Sequence, residues 1–99
     1  MSANKHDTAK PRHSLVPPHA LGHIIAVMEF GAAKYGARNW THGMQWSRCF
    51  DAAMRHTWAW WRGEDNDPES GLPHLAHAAV NLMFLMDYAA MKRGEDDRP

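Results

Sequence analysis

GEDNDPESGLPHLAHAAVN, residues 63–81, is the stretch on which the fold turns. Four carboxylates, Glu64, Asp65, Asp67 and Glu69, crowd into its first seven residues. Pro73 then stands where a first helical residue belongs, because its missing N–H is no loss at that position. Beyond it, His74, His77 and Asn81 recur at helical spacing and share one face. His74 and His77 are separated by a rise of about 4.5 Å, close enough to share one ion. Asn81 lies about 10 Å from His74 along the axis, too far to be a third ligand, and is better placed to hydrogen-bond what the ion holds. The stretch therefore reads as an acidic loop that opens a helix.

That helix is expected to run from Pro73 to about Arg93, where Lys92, Arg93 and Gly94 supply the charges and the stop of a C-terminus. Leu75, Ala78, Ala79, Leu82, Met86 and Ala89 form its expected core stripe. Ala76, Val80, Met83, Asp87, Ala90 and Met91 form a far side with a single charge. Upstream, Ser47 is the expected N-cap of a helix that ends near Gly63. Phe50, Met54, Thr57, Trp58 and Trp61 are its expected core face, and Cys49, Ala53, His56 and Trp60 lie opposite. A first helix starts at Pro17-Pro18 and stops at Gly36. Its stripe is Leu21, Ile24, Ile25, Met28, Ala32 and Tyr35. No strand pattern or repeat interrupts this order.

The fold class is therefore all-α, with three main helices. The expected layout is a flexible arm over residues 1–14, one helical domain over 15–94 and a solvated tail over 95–99. Three helices in so short a chain make a thin core, and two of them carry a second apolar face. A bundle completed by oligomerisation, as a homodimer or higher homo-oligomer, resolves this, with Val80, Met83, Ala90 and Met91 as the expected contact.

The 99 residues carry eleven basic and eleven acidic side chains, so no overall field attracts nucleic acid, and stable nucleic-acid binding is not expected. A single Cys49 excludes an internal disulfide and a cysteine-rich zinc site. No long apolar run or signal-peptide core is present, which reads as no membrane partner and a cytoplasmic protein.

The chemistry concentrates where the second and third helices would meet as antiparallel neighbours. His56, His74 and His77 then converge with the loop acids Glu64, Asp67 and Glu69 on a divalent-metal site. Imidazole with carboxylate suits Zn, Mn, Co or Fe. The loop GARNWTHGMQW, residues 36–46, holds Arg38, Asn39 and two tryptophans. Trp40 and Trp46 either cap the core, or Trp40 offers a flat face to a base with Arg38 and Lys34 near phosphate.

The blocks LVPPHAL, EFGAAKYGARNW, AAMRH and RGEDNDPESGLPHLAHAAVNLMFL resemble the family of phage dATP/dGTP diphosphohydrolases, in their N-terminal-type domain. The likeness runs from about Lys10 to Tyr88. It implies a small α-helical enzyme that splits a purine dNTP to dNMP and pyrophosphate. The helix order is also similar, more distantly, to all-α MazG-type NTP pyrophosphohydrolases, which bind Mg or Mn through ExxE and ExxD. This chain departs from that pattern: Ala53 with His56 and His74 with His77 stand at those positions. The resemblance thus implies Mg or Mn, while the imidazoles also admit Zn or Co. From the residues themselves, Glu69, His77 and His74 are expected to carry the catalysis. Lys34, Arg38 and Arg55 would take phosphate, Asn39 and Trp40 would line the substrate site, and Asn81 would read the base edge. The alternative function is a non-catalytic, metal-stabilised helical module that binds a partner.

Overall fold

A computed structural model describes residues 2–99. It contains α1 (Pro18–Tyr35), α2 (Trp46–Trp61) and α3 (His74–Met91), with short 3-10 turns at His13–Leu15 and Asn39–His42. No strand forms among the described residues; two isolated bridges, Gln45 with Glu95 and Asn66 with Pro73, tie loops together. The all-α reading holds. α3 is the central helix, packed along α2 on one side and α1 on the other.

The helix ends follow the local chemistry. Pro18 occupies the first position of α1 behind Pro17. Gly36 ends the helix at φ +96°, a conformation costly for any other residue, and its N–H bonds Ala32 O at 2.9 Å. α3 likewise starts behind Pro73 and stops at a left-handed Lys92.

The start of α2 corrects the expectation for Ser47. Trp46 is the first helical residue, and Gln45 before it makes no side-chain cap. The capping comes from the far end of the chain instead. Trp46 N–H donates to Glu95 O at 2.9 Å. Ser47 donates its backbone N–H and its hydroxyl to the Asp97 carboxylate, at 2.9 and 2.5 Å. An anion at a helix N-terminus satisfies orphan donors and complements the dipole. Those bonds from Ser47 hold the Asp97 carboxyl below its ordinary range. Asp97 is therefore part of the fold, although the tail was expected to be solvated.

The helix faces are turned relative to expectation. On α2 the small side, Cys49 and Ala53, is sealed at 1% and 0% exposure. Phe50, Trp58 and Trp61, expected in the core, are exposed, Trp61 at 71%. On α3 the buried residues include Ala76, Val80 and Tyr88, while Leu75, Leu82 and Met86 from the expected core stripe face outward. Small residues let α2 and α3 approach closely, and that decides the side that packs. Val80, expected in an oligomer contact, is instead buried with Val27 and Ala76, flanked by Ile24, Met28, Leu72 and Phe84. Val27 is the buried residue of α1, whereas Leu21, Ile25 and Tyr35 of the expected stripe are exposed.

The loop between α1 and α2 is pinned to α3. The Tyr88 hydroxyl donates to Trp40 O at 2.7 Å, and Trp46 Nε1–H donates to Arg93 O at 2.9 Å. Gly43, at φ +81°, lies so close to Gly94 that a Cβ would stand 2.4 Å from its backbone nitrogen. Both strain and overlap with backbone oppose a side chain there. Gly43→Ala should therefore cost at least about 2 kcal/mol, by the penalties usual for left-handed strain and overpacking. Urea unfolding that shows an unchanged midpoint for Gly43→Ala would contradict this close approach.

Candidate metal centre

The loop of residues 63–72 folds back onto the start of α3 by satisfying its own backbone. Asp67 N–H donates to Leu72 O at 2.8 Å, Gly71 N–H to Asp67 O at 2.7 Å and His74 N–H to Asp65 O at 2.9 Å. The Asp67 carboxylate accepts from Ser70 N–H at 2.9 Å, the local turn that Asp favours. Ser70 Oγ accepts from Leu72 N–H at 3.1 Å and lies 2.7 Å from His77 Nε2.

His74 and His77 project from one face of α3 towards His56 on α2. The His56 and His77 rings stack at 4.6 Å with planes 11° apart. His56 Nδ1 and His74 Nδ1 are 2.8 Å apart, and His74 Nε2 is 2.6 Å from Glu64 Oε1. This chain of contacts assigns the tautomers. A carboxylate only accepts, so His74 presents an N–H from Nε2, which in the neutral ring leaves the lone pair at Nδ1. His56 Nδ1–H then donates to that lone pair. A His whose outer nitrogen is held by a carboxylate and whose inner nitrogen faces other donors is the usual arrangement of a metal-ligating imidazole.

His56, Asp67 and His74 each place a ligand atom within 4.8 Å of the other two. Two imidazoles and a carboxylate fit a borderline dication such as Zn, Co, Mn or Fe. Glu64 reaches this group through His74, and His77 borders it, with its Nε2 3.9 Å from Asp67 Oδ2. Ser70, His77 and Asp67 do not form a nucleophilic triad, because serine and carboxylate approach the same ring nitrogen. Phe30 of α1 meets His77 edge-on, with centroids 6.2 Å apart.

The other candidate residues lie outside this group. Glu69 forms an ion pair with Lys34, which ties the loop to the end of α1, and that hydrogen bond raises the Lys34 pKa. Arg55 lines a groove of about 540 Å³ with Asp51, Met54, Trp58 and Arg62. Arg38 and Asn39 are exposed at the turn after α1. Asn81 donates to the His77 carbonyl at 2.9 Å, a bond within its own helix. Trp40 stacks on Phe84 at 5.2 Å, with Arg93 over its ring at 5.9 Å. Phe84 is seven residues beyond His77, about 10 Å along α3. Trp40 thus caps the core at the other end of the helix, where it edges a groove of about 330 Å³ with Met28, Met83 and Met86.

A family model, dATP/dGTP diphosphohydrolase, N-terminal, matches residues 2–98. The chain belongs to that family. It is 37% identical over 98 residues to a dATP/dGTP diphosphohydrolase of Salmonella phage PMBT28. The match covers 99% of this chain and 33% of that relative, so the chain spans about a third of the relative's length. No solved structure matches.

In this family member, Ser70 and Phe30 are contacts of the histidine cluster that sequence reasoning missed. Ser70 had a signal: it follows Asp67 by three residues, a spacing at which an Asp side chain caps a backbone N–H. Phe30 had none, because only the packing of α1 brings it to His77.

Burial holds the His56 imidazole below its ordinary pKa, and His77 and His74 lower it further. Burial lowers His77 as well, against the pull of Asp67. For Asp67, burial alone would raise the carboxyl, but hydrogen bonds from Ser70 and the nearby His77 and His56 outweigh it and the net shift is down. The unfolded chain, with histidines near pH 6.5, therefore binds more protons than the folded one as pH falls through that value. The stability owed to neutral His56 and His77 is complete above about pH 6.5 and is lost below it; Asp67 adds a loss in the same direction nearer pH 4. Thermal unfolding of chelator-treated protein should give a lower melting temperature at pH 5 than at pH 7.5. A melting temperature that is flat or rises towards pH 5 would contradict the buried, neutral state of these rings.

Proposed function

We propose that this chain is a metal-dependent diphosphohydrolase module that converts purine dNTPs, dATP or dGTP, to dNMP and pyrophosphate, acting where it is made, in the host cytoplasm. The observation that carries the reading is the His56–Asp67–His74 donor set with Glu64 on the outer nitrogen of His74. The family membership and the printed activity of the phage relative support the substrate class. His56, Asp67 and His74 would hold the ion, with Glu64 orienting His74. A bound dication neutralises triphosphate charge and lowers the pKa of water.

The chain's own residues supply the rest. His77, kept neutral by burial, accepts the proton of the attacking water at Nε2, where Ser70 now sits. Oxygen forms its bond to the α-phosphorus, and the bond to the α–β bridging oxygen breaks. Pyrophosphate departs with that electron pair. Lys34 exchanges Glu69 for a phosphate oxygen, and Arg55 is the nearest guanidinium in sequence to the cluster. Arg38 and Asn39, exposed at the turn, complete the approach. The donor set does not discriminate Mg or Mn from Zn or Co by itself, so the metal is part of the test.

Purified protein should release pyrophosphate and monophosphate from dATP or dGTP with at least one of Mg, Mn, Co or Zn, and lose activity with chelator. His74→Gln should raise the metal concentration needed about 10–100-fold, the usual cost of disturbing a ligand and its support. Full activity after chelation, or no turnover of any dNTP with any of these metals, would refute the reading.

One observation favours a second function. His74 and His77 are only 4% and 9% exposed, and the chain spans a third of its relative. Two buried imidazoles suit a helical module that holds a metal and binds a partner without turnover. Stoichiometric metal binding with no pyrophosphate release, in the same assay, is its signature.

In either case we infer that a second copy covers the outward face of α3. Leu75, Leu82, Met83 and Met86 are all exposed there, Met86 at 66%, with Asp87 as the one charge beside them. Leu82→Glu combined with Met86→Lys should convert an oligomer to a folded monomer in sedimentation at micromolar concentration. A wild-type protein that is already monomeric under those conditions would rule the assembly out.

A further inference from the structure

The N-terminal end of α1 carries a pair of imidazoles that the hydrolase reading does not use. His19 and His23 stand four residues apart, hence on one helix face. Their Nε2 atoms are 3.1 Å apart and their rings meet edge-on, with planes 88° apart. The same nitrogen of each ring thus lies within reach of one shared ion beside the helix. A metal–nitrogen bond of about 2.0–2.1 Å places two ligands about 2.9 Å apart at a right angle and about 3.3 Å apart at the tetrahedral angle. The observed separation falls between these values.

We propose that His19 and His23 form a second, surface metal site that takes a borderline transition-metal dication: Zn²⁺, Co²⁺, Ni²⁺ or Cu²⁺. Two histidines four apart on a helix are the pairing that helical zinc sites use for their first two ligands. Imidazole nitrogen selects these ions over Mg²⁺ and Ca²⁺, which prefer oxygen. With two protein ligands the remaining positions are open to water. The site is independent of the His56–Asp67–His74 group, which sits between α2 and α3.

The position gives the site a structural effect. Pro17 ahead of α1 offers no side-chain cap, and the first turn carries no acid. The helix therefore begins with less local support than a capped one. An ion shared by His19 and His23 links the first turn to the second and stabilises the folded helix in proportion to metal occupancy. The positive end of the helix dipole opposes a cation there, which lowers the affinity but leaves the chelate geometry unchanged.

The test is a Zn²⁺ titration of the isotope-labelled full chain, followed through the histidine ring signals in NMR spectra, with Mg²⁺ as the control. The His19 and His23 rings should shift together, with one midpoint in the micromolar range, and Mg²⁺ should move neither. His23→Gln should weaken the response of His19 at least tenfold while the signals of His56 and His74 respond as in wild type. Three results would overturn the proposal: rings that titrate at separate midpoints, a response only at millimolar Zn²⁺, or an unchanged His19 midpoint in His23→Gln.

Discussion

Cys49 and Ala53 present little side-chain bulk to α3, and the closeness they permit fixes nearly everything else. With a larger residue at either position, α2 would stand further off and His56 Nδ1 could not come within 2.8 Å of His74 Nδ1. The same closeness turns the bulky side of α2 outward, leaving Phe50, Trp58 and Trp61 in solvent. Site and surface are two consequences of one packing choice. The acidic loop then has a fixed place to fold, because Asp65 must meet His74 N–H and Glu64 must meet the outer nitrogen of His74.

The electrostatics of the centre follow from that geometry. Burial disfavours charge on His56 and His77, and the neighbouring imidazoles act in the same direction. Neutral rings with lone pairs are the state in which imidazole binds a metal or accepts a proton. Asp67 stays ionised beside them because Ser70 feeds it hydrogen bonds. A preorganised acceptor set therefore exists before any ion or substrate arrives.

The helices were legible because proline and glycine mark their ends: Pro18, Gly36 and Pro73 act through the backbone alone, wherever the rest of the chain goes. The acid-rich loop beside His74 and His77 was legible for a similar reason, since residues so near in sequence stay near in space. The packing faces were not. α2 and α3 each have two apolar sides, and periodicity cannot say which pair of sides meets, so Val80 was placed on an oligomer surface and Trp58 in a core. Ser47 was misread because its true partner, Asp97, lies fifty residues away. For Trp40, both a capping and a stacking role were consistent with the loop sequence, and only the position of Phe84 favours the first. Asn81 has the helical spacing of a site residue, yet its side chain is spent on the His77 carbonyl.

The bonds from Glu95 and Asp97 to the start of α2 also bear on the order of folding. Closing a loop of about fifty residues carries an entropic cost on the order of 3 kcal/mol, which contacts near the chain ends must offset. During synthesis the first turn of α2 emerges long before residues 95–97 exist, with its donors open to water. It can be completed only after α3 has been made and has carried the chain back along α2. The helix that supplies His56 is thus finished last at its own beginning.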